Sequence, residues 1–462
     1  MKVRTLRGLL IILITLTSVQ HSVLGEPIDF SKYHRFNIVE SFLLHLATNY
    51  DRVRLSVIGH SWQGRSLYAL FVGDIEEKPV VLIVGLHHGR ELISAQFLLY
   101  FTWLLLTNDS YRHLLNSYAF IIVPVLNPDG YEEAFKNPWQ RKNCRPIDDD
   151  NDGLVDEDPP EDLNKDGRIA RYYNASTLWY EGVDNDGDGK LNEDWVGGVD
   201  LNRNYPFMWE KGSKVKSSLI YKGPEPLSEP ETKALDLLVR HYAKRIVIAL
   251  SYHSGVSLVL YPWSYTKEAP PDEQLFREIG LVYANVAHCE LKQSSHLYLS
   301  FGELMDYLYH DFNIITFTVE IYGWATDPKW FRSHIIRKDR VRIFKHIFEA
   351  FNPVPGKELL RVLKLHATAL NVTLTYYEKY ALIMYKSRVR GLKLDSTMVI
   401  FIMIIAIILL ILTGYKGASK TDEKDILMKR HLTSYPIRLR FILNRLRSTF
   451  KLHIPKRVIF GS

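Results

Sequence analysis

The tetrapeptide His88-Gly89-Arg90-Glu91 directly follows the apolar run Val80-Val81-Leu82-Ile83-Val84. An imidazole and a carboxylate three residues apart at the end of a buried strand can aim a nitrogen and an oxygen at one cation, and zinc accepts both ligand types. The same spacing also recurs on surfaces and at helix ends, so a metal site needs a third ligand. Ser251-Tyr252-His253-Ser254 offers one, at the end of a second apolar run that begins at Ile246. Both histidines then stand at C-terminal strand ends, where open α/β sheets place their sites. Glu320 closes a third run, Thr316-Phe317-Thr318-Val319.

These residues need a sheet to hold them. Across 36–130, amphipathic helical stretches (38–46 and 95–106) alternate with short apolar runs (68–72, 80–84 and 120–125). That alternation reads as an α/β fold with a mostly buried sheet. The pattern resumes with a helix over 229–242, a strand over 246–251, a helix over 271–288, a strand over 314–319 and a closing helix over 337–351. Residues 352–396 are too few for an ordinary second domain, and strand character at 367–375 and 380–385 points to a stalk or small β-appendage.

An acidic insertion, 147–195, interrupts the alternation. Asp148-x-Asp150-x-Asp152-Gly153, Asp162-x-Asn164-x-Asp166-Gly167 and Asp184-x-Asp186-x-Asp188-Gly189 repeat one theme. Oxygen ligands at alternate positions precede a glycine that permits a sharp turn, as at the start of EF-hand or dockerin calcium loops. The bidentate Glu of the twelfth position is missing, since Pro159, Tyr173 and Trp195 stand there; Glu157, Asp158, Glu193 and Asp194 lie nearby as substitutes. A solvated acidic loop is the plainer alternative, but three glycine-terminated copies favour structural calcium.

Lys2, Arg4 and Arg7 precede the apolar stretch 9–16, and Val23-Leu24-Gly25 follows. This reads as a secretory signal peptide over 1–25, with an uncleaved anchor as the alternative. Residues 397–413 carry no charge and have nearly the length of a membrane-spanning helix. Together the two segments imply a single-pass protein of the cell membrane, with 26–396 outside and a tail over 414–462 inside. The tail is basic, suits an anionic inner leaflet and accounts for most of the net charge of +6. A membrane tether argues against nucleic acid as a partner. Cys144 and Cys289 are the only cysteines, so there is no disulfide framework, and whether they pair stays open, as does the oligomeric state.

The order of further motifs makes a resemblance specific. Asn127-Pro128-Asp129-Gly130-Tyr131, Arg141-Lys142-Asn143, Asp200-Leu201-Asn202-Arg203-Asn204 and Ser228-Glu229-Pro230-Glu231-Thr232 fall between the His88 and His253 motifs. With the Glu320 run, this series over about 30–350 resembles the zinc carboxypeptidases of the carboxypeptidase A/B type. The resemblance implies a catalytic domain over 26–351 with a mixed, mostly buried sheet flanked by helices, besides the C-terminal transmembrane helix. It implies one zinc ion on His88, Glu91 and His253, with a fourth position for a water whose pKa the metal lowers. Glu320 is then the general base that takes the water's proton and passes it to the leaving amine. Arg141 stabilises the oxyanion, and Asn202 and Arg203 clamp the substrate's C-terminal carboxylate. Asp200 orients His88, Tyr298 matches the mobile tyrosine that caps the substrate, and Arg90 touches the residue upstream of the scissile bond. The short stretch before His88 leaves no room for the long inhibitory propeptide of the pancreatic branch.

Specificity is less legible. An ungapped count back from Glu320 puts Met305 at the pocket floor, where an apolar residue suits apolar or aromatic C-terminal side chains. Glu303, two positions away, selects basic residues instead if it points inward. The expected function is removal of single C-terminal residues from extracellular peptides or proteins. Two alternatives stand beside it: a cell-wall peptidase of the same fold that cuts γ-D-glutamyl-diamino acid bonds, and an inactive, calcium-stabilised peptide-binding ectodomain. The latter would be expected to lack the base or a ligand.

Overall fold

A computed structural model describes residues 27–390, apart from 167–168, 174–177, 193, 196, 325–334, 339–340 and 345–346. The expected signal peptide, the membrane helix at 397–413 and the basic tail lie outside the described residues. Among the described residues, no helix is long and apolar enough to cross a membrane.

Eight strands form the main sheet. They are β1 Val53–His60, β2 Ser66–Val72, β3 Val80–Gly85, β4 Ala119–Val123 and, beyond β5 Arg171–Tyr173 and β6 Leu178–Tyr180 of a second sheet, β7 Ile246–His253, β8 Ser257–Tyr261, β9 Glu290–Gln293 and β10 Ile315–Ile321. Their spatial order is β1-β2-β4-β3-β7-β10-β8-β9. The central strands β4, β3, β7 and β10 pair in parallel, with antiparallel pairings of β2 on β4 and β8 on β10 to either side. Every residue of β3, β4 and β7 is buried, as a parallel sheet covered on both faces requires.

The covering helices are α1 Phe36–Asn49, α2 Leu92–Thr107, α3 Pro230–Tyr242, α4 Glu273–Ala287, α5 Leu304–Phe312 and α6 Lys357–Arg390. α2 is apolar on nearly every side because β3 and β7 cover one face and α6 another. α3 sends Leu235, Leu238 and Val239 into the core beneath Ala69, Leu82 and Ile121.

Two expected elements are corrected. Residues 337–351 are not one helix: β11 Ile335–Lys338 and β12 Val341–Phe344 pair as antiparallel strands, and among the described residues of this stretch only Ile347–Phe351 is helical. The second sheet runs β11-β12-β5-β6, so β12 pairs with a hairpin inside the acidic insertion. Ile335, Ile336, Val341 and Ile343 suit a strand once that partner exists. Residues 352–396 are no β-appendage either, because α6 takes up 357–390 and belongs to the same compact unit as the sheet. Leu359, Leu363, His366, Leu370, Leu374, Tyr377 and Ala381 are buried at helical spacing against α4, α2 and β7. Tyr118 Oη donates to the Leu374 carbonyl at 2.8 Å, which ties α6 to the start of β4.

Candidate active site and metal centre

Three adjacent parallel strands end together. Register pairs Val84 with Ser251 across β3 and β7, and His253 with Glu320 across β7 and β10. His88 and Glu91 lie on the turn from β3 into α2. That turn is pressed against the 127–131 segment, where a Cβ on Gly89 would come within 2.3 Å of the Gly130 carbonyl oxygen, so only glycine fits. Asn127 Nδ2 donates to the carbonyls of His87 (3.1 Å) and Lys142 (3.2 Å), joining the turn to the strand of chain that carries Arg141.

His88, Glu91 and His253 are buried, and their ligand atoms converge. His88 Nδ1 lies 2.7 Å from Glu91 Oε1, His253 Nδ1 lies 3.0 Å from Glu91 Oε2, and the two Nδ1 atoms are 3.3 Å apart. Two imidazole nitrogens and a carboxylate facing one point, with the second nitrogen of His88 held 3.1 Å from Asp200 Oδ1, are a donor set that fits zinc. Burial pushes the Glu91 carboxyl upward, but the adjoining His88 and His253 outweigh it and hold it well below the usual carboxylate range. Asp200 is depressed in the same way, its burial outweighed by Arg141, Arg203 and His88.

Arg141 donates to Asp200 Oδ2 through Nε (3.0 Å) and Nη2 (2.8 Å), so one carboxylate fixes both His88 and Arg141. Arg203 Nη1 donates to Glu303 Oε1 at 3.0 Å and Nη2 to Tyr298 Oη at 3.3 Å. Asn202 Oδ1 accepts from the Leu304 amide at 3.1 Å, which orients its side chain beside Arg203. The Arg90 guanidinium sits 4.2 Å from the centre of the Phe351 ring. A cavity of about 290 Å³ brings His88, Arg90, Glu91, Arg141, Asn202, Arg203, His253, Tyr298, Glu303 and Glu320 together on its wall. Glu320 Oε2 is buried and has no hydrogen-bond partner, so it is open to a proton donor entering the cavity. Burial, then the negative charge of Glu91, pushes its carboxyl up to about 8.

Two expected site residues lie off the cavity wall: Asp200, which stands behind His88 and Arg141, and Met305. Met305 is buried in the first turn of α5, while Val256, Leu260 and Leu297 supply apolar wall and Glu303 is the residue of this segment that faces the space. Sequence reasoning also missed His87, which stacks on His253 with ring centres 5.2 Å apart and lies 3.0 Å from Tyr205 Oη. Burial, then the charge of His253, holds His87 well below its ordinary pKa, so it is a neutral support for the ligand ring. The adjacent His87-His88 pair was the available signal.

In the acidic insertion, Asp148 and Asp150 converge with Asp194, Asp150 and Asp152 with Glu157, and Asp184, Asp186 and Asp188 with one another. Asp162 and Asp166 join no such group among the described residues, and the oxygens of Asp162 and Asn164 accept from the Asp166 amide instead.

A family model described as zinc carboxypeptidase matches residues 39–331. Carboxypeptidase B of Astacus astacus is 28% identical over 251 residues, which is 53% of this chain and 69% of that protein. Human carboxypeptidase A6 is 28% identical over 299 residues, 61% of this chain and 58% of its own length. Carboxypeptidase B of Helicoverpa zea is 24% identical over 271 residues and matched over 53% of its length, so the chain spans little more than half of these last two relatives. Bovine thrombin-activatable fibrinolysis inhibitor, solved with a tick carboxypeptidase inhibitor, shares the fold with a TM-score of 0.53 and 23% identity, over 76% of this chain and 99% of that one. Carboxypeptidase A of Helicoverpa armigera shares it with a TM-score of 0.54 and 21% identity, over 79% and 80%. With the family match extending over residues 39–331, well over half of the chain, the chain belongs to the zinc carboxypeptidases.

Proposed function

We propose that this metallocarboxypeptidase removes single residues from the free C-termini of extracellular peptides or proteins. The observation that carries the reading is the convergence of His88, Glu91, His253 and Glu320 on one cavity that also holds Arg141 and Arg203. His88, Glu91 and His253 would hold zinc, which when bound supplies Lewis acidity and lowers the pKa of a water. Arg203 and Asn202 take the substrate's terminal carboxylate, and this restricts attack to the last peptide bond. Glu320 accepts the proton of the attacking water and returns it to the leaving amine. Arg141, fixed by Asp200, stabilises charge on the carbonyl oxygen. Tyr298, its side chain hydrogen-bonded to Arg203 and its residue largely exposed, is placed to fold over the substrate.

The apolar wall of Val256, Leu260 and Leu297 favours an apolar C-terminal side chain, and the one acid contributed by the 303–305 segment is already paired with Arg203. Secretion, a membrane anchor at 397–413 and calcium in the acidic insertion complete the proposal. Glu320→Gln tests it: hydrolysis of blocked dipeptides ending in Phe or Leu should fall by about 10²–10⁴-fold with zinc content unchanged. Full activity in that variant would remove Glu320 from the mechanism.

A further inference from the structure

The acidic insertion leaves the catalytic body between two residues that touch. Arg141 and Asp200 are hydrogen-bonded at 2.8 Å, yet Asp148 follows Arg141 by seven positions and Asp194 precedes Asp200 by six. The intervening chain therefore departs and returns at one neck. There, the Asp158 amide donates to the Asp194 carbonyl at 3.0 Å. The Asp158 carboxylate accepts from the amides of Asn192 (2.7 Å) and Asn185 (3.2 Å). These bonds carry Asp194 onto the first acidic loop, where an oxygen of each of Asp148, Asp150 and Asp194 lies within 4.8 Å of the others. Asp150 belongs to a second such group with Asp152 and Glu157.

Asp194 is fully buried, and among the described residues neither of its carboxylate oxygens has a hydrogen-bond partner. Glu157 Oε2 is buried and equally without one. Burying an unpaired carboxylate is strongly unfavourable unless a proton or a cation neutralises it. Lys142 and Lys216, which reach the first acidic loop, are engaged elsewhere: Lys142 Nζ faces Asp149 at 3.7 Å and donates to the Lys216 carbonyl, while Lys216 Nζ donates to the Asp148 carbonyl and to Asn151 Oδ1. The third loop differs. Asp184 there accepts from the Gly187 and Gly189 amides and Asp186 from the Asp188 amide, and no buried, unpaired oxygen points into the group.

We propose that Asp148, Asp150, Asp152, Glu157 and Asp194 form one divalent-cation site, and that the ion clamps the neck of the insertion so that Arg141 and Asp200 stay aligned. A purely oxygen, carboxylate-rich ligand set selects a hard ion, and calcium tolerates its irregular geometry where magnesium does not. Glu157 and Asp194 supply the charge that the absent twelfth-position Glu gives an ordinary loop. The site deepens the calcium reading of the insertion, and only its effect on turnover rests on the carboxypeptidase reading.

The test uses the zinc-loaded protein with terbium(III) and calcium as probes. Trp195 adjoins Asp194, so terbium bound there is expected to luminesce on indole excitation and to be displaced by calcium. Asp194→Asn and the less buried Asp150→Asn should each weaken calcium binding by about 10-fold or more, whereas Asp186→Asn leaves it unchanged. Calcium should raise the Tm of wild type but not of Asp194→Asn, and without calcium that variant should melt no lower than wild type because an unpaired charge is gone. Wild-type affinity in Asp194→Asn and Asp150→Asn, or loss of binding in Asp186→Asn alone, overturns the site. Calcium is further expected to raise kcat at constant zinc content, and equal turnover with and without it overturns the clamp. Binding and melting report on the ion without peptidase activity, so an inactive chain that still binds calcium through Asp194 sinks only the catalytic reading.

Discussion

Arg203 must serve two carboxylates. Glu303 already takes its Nη1 and is held in place by Ser300 Oγ (2.5 Å) and Ser264 Oγ (2.7 Å), which leaves Nη2, the edge shared with Tyr298, for an incoming substrate. Arg203→Gln should lower turnover of peptides with free C-termini by about 10²-fold, the scale of a lost buried charge pair. The loss should not extend to any residual hydrolysis of amidated peptides, and an equal loss on both would count against the clamp. Beside it, burial and then the charge of Glu303 push the Asp306 carboxyl up to about 8. The folded chain then keeps a proton that the unfolded chain releases near pH 4, so stability falls as pH rises from about 4 to about 8 and levels off above. Asp306→Asn, neutral throughout, should flatten that slope in Tm measured from pH 5 to 8; identical slopes would contradict it. The convergence of His88, His253 and Glu320 was legible because each closes or closely follows an apolar run whose strand end fixes its direction. Met305 was not, since an ungapped count carries no information on where a helix begins, and α5 starts at Leu304 and turns Met305 into the core.

Elements were readable where their periodicity was strong and their partners local. The strands β2, β3, β7 and β10 and the helices α1 to α4 fall close to the apolar patterns that mark them, because a buried parallel strand needs an unbroken apolar run. The strand pair β11–β12 was illegible because its pairing partner comes from the insertion, about 170 residues earlier in the chain. α6 was misread for another reason: Val372, Thr373 and Thr375 favour a strand locally, while the seven-residue series from Leu359 to Ala381 carries a helical period that only α4 and α2 turn into buried area. Leu363→Ala should therefore destabilise the fold by about 3 kcal/mol in denaturant melts, against about 0.5 kcal/mol or less for the exposed Leu382→Ala. Comparable small effects at both positions would mean that α6 is not part of the folded core.

At the scale of the molecule, one sheet delivers three strand ends to one cavity, and the insertion and α6 are built around that sheet. The insertion joins the catalytic body beside the bonded pair Arg141 and Asp200, and α6 packs on the helix that follows Glu91. The central claim is an exopeptidase that needs its metal and a free carboxylate. The most direct measurement offers the zinc-loaded protein one peptide ending in Phe, as free acid and as amide, with and without a zinc chelator, and follows the products by mass. The account predicts stepwise loss of single residues from the free acid alone, abolished by the chelator and restored by zinc. Cleavage that survives the chelator, or that proceeds equally on the amide or at internal bonds, would contradict it.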